Sequence, residues 1–225
     1  MTISKRRTLE AIYRRLFKKF GRQHWWPGDT PFEVMVGAIL AQSTAWVNAA
    51  LAIDQLKQKR LLSPSALDRL PDGRLAPLIR SSGYFNQKAK RLKKFVRHFQ
   101  RKYAGNVSRM RRVSLAPLRQ ELLGLPGIGP ETADSILLYA LGKPTFVVDA
   151  YTRRILARHS LIPWEASYEE IRSLFMKHLP GRAPLFNEYH ALLVAFGKEI
   201  CQTHPKCHLC PLRDIGKLHL ETDPS

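Results

Sequence analysis

Residues 125–139 read LPGIGPETADSILLY, a glycine-punctuated turn that runs directly into a helical apolar pattern. Gly127 and Gly129 permit positive φ and close backbone approach, and Pro130 suits the first position of a helix, where its missing amide is not needed. The preceding stretch LAPLRQELLGL, residues 115–125, also has helical spacing. Two helices joined by a Gly-x-Gly turn point backbone amides outward at a helix N-terminus, which is a phosphate site that needs no side chain. An ordinary tight turn between helices has the same glycines, so the rest of the chain must decide between the two.

Charge favours phosphate. The 225 residues carry 37 Lys and Arg against 18 Asp and Glu, a formal net charge of +19 that fits a polyanionic partner. Nucleic acid is the first candidate. An anionic membrane surface is the rival, yet the most apolar runs, FEVMVGAILA and ALLVAF, are far shorter than the roughly 20 residues of a spanning helix. The N-terminal stretch is basic and amphipathic, as a targeting peptide is. Leu9, Ile12, Tyr13, Leu16, Phe17 and Phe20 nevertheless follow helical spacing, and Glu10 is out of place in such a peptide, so it reads as a structural helix.

Helix-period patterns predict segments at 8–20, 31–41, 45–59, 65–70, 72–81, 86–103, 115–123, 130–141, 150–158, 168–178 and 185–200, punctuated by Pro and Gly. The class is all-α. The best strand-like alternation is TFVVDAY at 145–151. Within it Asp149 precedes a helical pattern carrying Arg153, Arg154 and Arg158, and it reads as an N-cap worth about 0.5 to 2 kcal/mol or as a functional carboxylate, depending on its company.

That company is specific. Hairpin, helix, Gly-Lys-Pro, apolar run and Asp, in this order, resemble the helix-hairpin-helix DNA glycosylase superfamily, endonuclease III branch. FEVMVGAILAQSTAWVNA resembles the segment carrying the glutamine that enters the vacated space in the duplex, here Gln42. SGYFNQKAKRL resembles the wedge loop, with Tyr84 as the inserted side chain, and FNEYHALLVAFGKEICQTHPKCHLCPL resembles the approach to a cysteine loop. The ordered matches run from Trp25 to Leu212. The resemblance implies two α-helical lobes with an active cleft between them: a six-helix barrel at 29–142, with the helix-hairpin-helix at about 115–142, and a second lobe made of 1–28 and 143–225. It implies a cytoplasmic, DNA-associated monomer acting on double-stranded DNA with damaged bases, without a membrane.

The implied chemistry is hydrolysis of an N-glycosidic bond after the base is flipped from the stack. Asp149 would stabilise positive charge developing on the deoxyribose and help orient or deprotonate water. Gly127 and Gly129 would grip phosphate, and Lys88 and Lys90, nearest the wedge loop in a helix that also carries Arg91, Lys93, Lys94, Arg97 and Arg101, are the candidate phosphate contacts. Arg109, Arg111 and Arg112 add to the basic surface ahead of the hairpin.

One position departs from the pattern. Glu131 stands where endonuclease III has the lysine that forms a Schiff base, and a carboxylate cannot make an imine. The consequence is a monofunctional glycosylase that uses water. Lys88, Lys90 and Lys143 are other amines, none at the family position. Glu131 also suits the first turn of a helix, where the dipole favours negative charge by about 0.3 to 1 kcal/mol, so a water-handling role competes with a plain structural one.

The base pocket would be aromatic: HWWPGDTP supplies Trp25, Trp26 and Pro27, and Trp46 follows Gln42. Tryptophan faces attract cations, so an N3-alkylated adenine would stack better than its neutral parent. In these features the chain is most similar to the 3-methyladenine DNA glycosylase III group of that branch, although packing of Trp25 and Trp26 in the core is the competing reading. An oxidised-pyrimidine glycosylase with lyase activity and a noncatalytic DNA-binding module are the alternatives, opposed by Glu131 and Asp149 respectively.

The branch often holds a [4Fe-4S] cluster on C-x6-C-x2-C-x5-C. Here Cys201, Cys207 and Cys210 are spaced C-x5-C-x2-C and the fourth position falls at Gly216. Three alternatives stay open: a cluster with a fourth ligand such as His204 or His219, zinc, or no metal.

Overall fold

A computed structural model of the protein describes residues 5–216; His219, a candidate ligand, lies outside them. Among the described residues the ordered elements are all helical. The chain divides into two compact units, one spanning Trp26–Lys143 and the other formed by the described residues before Trp26 and from Pro144 onward.

The unit at 26–143 is built around α2 (Pro31–Leu40), in which every residue from Phe32 to Leu40 is buried. Thr30 caps it by accepting from the Glu33 amide at 3.1 Å, and Pro31 occupies its first position. Its one buried carboxylate, Glu33, is paired with Lys57 at 2.6 Å. Against α2 pack α3 (Trp46–Gln58) and α6 (Phe85–Tyr103), and α4 (Pro64–Arg69) and α5 (Asp72–Leu78) pack on α6. Leu92, Phe95, Val96, Phe99 and Tyr103 make the buried stripe of α6.

The hairpin is α8 (Leu115–Leu123) followed by α9 (Pro130–Ser135), preceded by a short α7 (Val107–Arg112). The sequence patterns do not predict α7, because its three arginines mask a turn with only Met110 buried; Asn106 caps it through the Arg109 amide at 3.1 Å. α9 continues into a π-helical turn at Ile136–Ala140. A bidentate Arg119–Asp134 pair at 2.9 and 3.0 Å, with Asp134 fully buried, ties the two hairpin helices together.

The other unit packs α1 (Lys5–Phe20), α10 (Ala150–Arg158), α11 (Tyr168–His178) and α12 (Ala183–Glu199). The strand-like TFVVD segment belongs to no helix and joins no sheet. Its alternation is replaced by burial throughout, Thr145 to Val148 all being buried, with Phe146 stacked on Phe175 at 3.6 Å between ring centres. Tyr189 secures α12 to α1 by donating to the Leu9 carbonyl at 2.8 Å. No helix among the described residues is long and apolar enough to cross a membrane.

Candidate functional site

In the second unit, Asp149 is the N-cap of α10, and its Oδ1 accepts from the Thr152 amide at 2.7 Å. Its Oδ2 faces His190 Nε2 of α12 at 3.6 Å, a charge contact longer than a hydrogen bond. Gly197 permits this pairing: a Cβ there would stand 2.5 Å from the ring of Tyr151, so α10 and α12 lie close enough to bring His190, two turns earlier, to Asp149. Burial alone would push the Asp149 carboxyl up, but the His190 charge and the Thr152 hydrogen bonds outweigh it and hold the group below the usual carboxylate range. The side chain keeps 14% of its surface open. His190 was not singled out by sequence reading; it lies within the quoted FNEYHALL stretch, but its distance to Asp149 along the chain leaves no local signal.

Arg153, Arg154 and Arg158 turn inward. Arg153 donates to Trp164 and Ala166 carbonyls, and Arg154 to those of Cys201 and Gly197. Arg158 donates to the Gln202 and Thr203 carbonyls at 2.5 and 2.9 Å and reaches Cys201 Sγ at 3.6 Å. Cys201, Cys207 and Cys210 line a pocket with Arg158 and His159. Burial pushes the Cys210 thiol up, only partly offset by the Leu212 amide.

A four-cysteine cluster does not fit these residues. Gly216, at the fourth position, has φ +70°, and a Cβ there would lie 1.9 Å from the His159 carbonyl oxygen. His159 Nδ1 is itself 2.8 Å from the Ile215 carbonyl, so the corner is closed by backbone. Among the described residues no group of His, Cys, Asp and Glu is arranged to hold a metal ion, His204 included.

In the unit at 26–143, Trp26 packs edge-on to Trp46, with ring centres 4.9 Å apart at 84°, and tilts onto Tyr139 at 5.2 Å. All three rings are half-buried, and both tryptophans rest on Gly37 of α2, where a Cβ would meet each at 3.4 Å. Tyr139 belongs to the π-helical turn and was also missed; it stands two helical turns beyond Glu131. Trp25 falls in the other unit and Pro27 is exposed. Glu131 is exposed in the first turn of α9.

Gly127, at φ +86°, leaves room for Arg91, whose Cγ would be 2.4 Å from a Cβ. Arg91 donates to Gln42 Oε1 at 2.7 Å, while Gln42 Nε2 donates to the Gly127 carbonyl and to Thr132 Oγ1, both at 2.9 Å. Gln42 is thus docked on the hairpin rather than extended into solvent. Gly129 begins α9 with extended backbone and open space where a Cβ would stand. Tyr84 is 67% exposed and left-handed at φ 44°, directly after Gly83 at φ 69°. A tyrosine held there is strained by roughly 1 to 3 kcal/mol.

Lys88 corrects the sequence reading. It is 1% exposed, and its Nζ donates to the carbonyls of Leu40 at 2.8 Å and Ser82 at 2.5 Å, so it cannot serve as a phosphate contact. Burial, and then the nearby Arg91 charge, lower it to about 8. Lys93 likewise points inward, to the Leu67, Asp68 and Leu70 carbonyls. Lys90, Lys94, Arg97 and Arg101 remain exposed. Of the other amines considered in place of the family lysine, Lys143 Nζ donates to the Arg111 carbonyl at 2.9 Å.

Residues 36–181 match the HhH-GPD superfamily base excision DNA repair protein family, and the chain belongs to it. Its relatives are endonuclease III-like glycosylases. A Methanocaldococcus jannaschii relative is 43% identical over 206 residues, 91% of this chain and 93% of that protein. A trapped endonuclease III–DNA covalent intermediate superposes with a TM-score of 0.81 at 26% identity, covering 95% of this chain and 96% of that one. The H. pylori 3-methyladenine DNA glycosylase bound to 1,N6-ethenoadenine gives 0.75 at 27% identity, covering 88% and 98%.

Proposed function

We propose that the protein is a monofunctional DNA glycosylase that removes cationic, alkylated purines such as 3-methyladenine, leaving an abasic site with the strand intact. The observation that carries the reading is the Asp149 carboxylate, held ionised beside His190, in a chain whose lyase position is Glu131. A carboxylate held below its usual range is a weak base, so its main contribution is electrostatic: it stabilises the oxocarbenium character of the sugar as the base departs.

This division of labour suits a charged substrate. A base that already carries a positive charge leaves as a neutral molecule and needs no proton donor, and water then captures the sugar cation. Neutral oxidised pyrimidines would demand more acid assistance. The clustered Trp26, Trp46 and Tyr139 rings are the proposed base pocket, each cation–π contact there being worth about 0.5 to 2 kcal/mol. Tyr84 is the proposed wedge, Gln42 the proposed occupant of the vacated space, Gly127 and Gly129 the proposed phosphate grip, and Lys90 a proposed phosphate contact.

The second reading, an endonuclease III-type glycosylase and lyase for oxidised pyrimidines, draws on the likeness to the trapped endonuclease III complex. It requires an amine nucleophile. Borohydride reduction on abasic DNA separates the two: no covalent adduct is expected, and an adduct would favour the lyase.

A further inference from the structure

We propose that Lys88 is a positioning residue that sets the Gln42 and Tyr84 segments in register, so that the two act on damaged DNA as one device. The proposal rests on the reading that these two segments engage the duplex.

A buried ammonium is costly unless its hydrogen bonds are satisfied, and an apolar side chain would fill the same space on the buried face of α6 more cheaply. What the ammonium adds is direction. It joins the Leu40 carbonyl, at the C-terminal end of α2, to the Ser82 carbonyl. Leu40 lies two residues before Gln42, and Ser82 lies two residues before Tyr84. The Lys88 amide also donates to the Tyr84 carbonyl at 3.0 Å, so one residue holds the chain on both sides of Gly83. Both segments contain left-handed non-glycine residues, Ser43 at φ 50° and Tyr84 at φ 44°, which persist only where the surroundings over-determine them. Lys88 bonds the backbone three residues before the first and two before the second. On the Gln42 side, Arg91, one turn along α6, bonds the glutamine side chain itself.

The test uses the full chain and two duplexes, one intact and one with a tetrahydrofuran abasic analogue facing 2-aminopurine, whose emission reports unstacking. Lys88→Met is expected to leave affinity for the intact duplex and its salt dependence unchanged, because Nζ reaches no phosphate. It should lower the preference for the abasic duplex by about tenfold, with loss of most of the emission rise. Tyr84→Ala should do the same, and the double variant should be no worse than Tyr84→Ala alone. Lys88→Arg, which keeps charge and donors, should restore part of the preference.

Additive losses in the double variant would overturn the proposal, as would equal weakening on both duplexes, which marks a merely structural role. Retained preference in Lys88→Met beside loss in Tyr84→Ala would overturn the proposal and leave the wedge reading standing. Retained preference in Tyr84→Ala would bring down the wedge reading and the proposal with it. Should the Lys88 variants fail to fold, hydrogen exchange in the wild type decides: residues 40–44 and 80–86 are expected to open at one common rate, and two distinct rates would overturn the coupling.

Discussion

Replacing Asp149 with asparagine separates its two tasks. As N-cap of α10 the side chain accepts the Thr152 amide at 2.7 Å, and asparagine caps about as well as aspartate, so Asp149→Asn keeps the cap and gives up only the charge pairing with His190. Asp149→Ala should lose about 0.5 to 2 kcal/mol more than Asp149→Asn, because the Thr152 amide is then left without its acceptor. The charge is another matter. With a neutral amide, nothing at this position opposes the positive charge on the sugar, and loss of one preorganised electrostatic partner lowers a rate by about 10² to 10³. The assay is single-turnover release of 3-methyladenine from alkylated duplex DNA, read beside thermal unfolding and binding to abasic duplex. Asp149→Asn is expected to fold and bind like the wild type while excising at least about a hundredfold more slowly. Excision within about threefold of wild type would refute the electrostatic role, and equal destabilisation by Asn and Ala would refute the capping account.

Removing the His190 charge with His190→Gln leaves burial as the main influence on Asp149. The carboxyl then titrates higher, and because excision needs the ionised form, the acid limb of the pH–rate profile moves to higher pH; an unmoved limb would count against the pairing. Trp46→Ala should weaken discrimination for cationic over neutral purines by a few-fold to about thirtyfold, the equivalent of one cation–π contact, in competition between alkylated and deaminated substrates. Gly216→Cys, which supplies a fourth cysteine, should lower stability by more than about 2 kcal/mol in a denaturant titration and yield no iron, because a Cβ there meets the His159 carbonyl.

Much of the fold is legible in the sequence because Pro, Gly and capping residues punctuate it. The helix at Tyr168–His178 and the hairpin helix from Leu115 agree with their patterns to the residue. The short Val107–Arg112 helix is not legible, since an apolar stripe needs more than one buried residue to declare itself. Lys88 shows a different limit. Counting charges along α6 suggests a basic face, yet Lys88 stands four residues before Leu92 on the buried stripe, and reading its direction instead of its charge would have placed it inside. His190 and Arg91 owe their positions to tertiary packing, through Gly197 and Gly127, and Tyr139 meets Trp26 from a distant part of the chain, which no local pattern encodes.

The central claim is tested most directly by incubating the purified protein with methylated duplex DNA and analysing free bases and strand integrity in the same sample. Free 3-methyladenine with strands that stay whole until treated with hot alkali is the expected result. Strand cleavage without alkali, or no 3-methyladenine beside released oxidised pyrimidines from a parallel oxidised duplex, would contradict it.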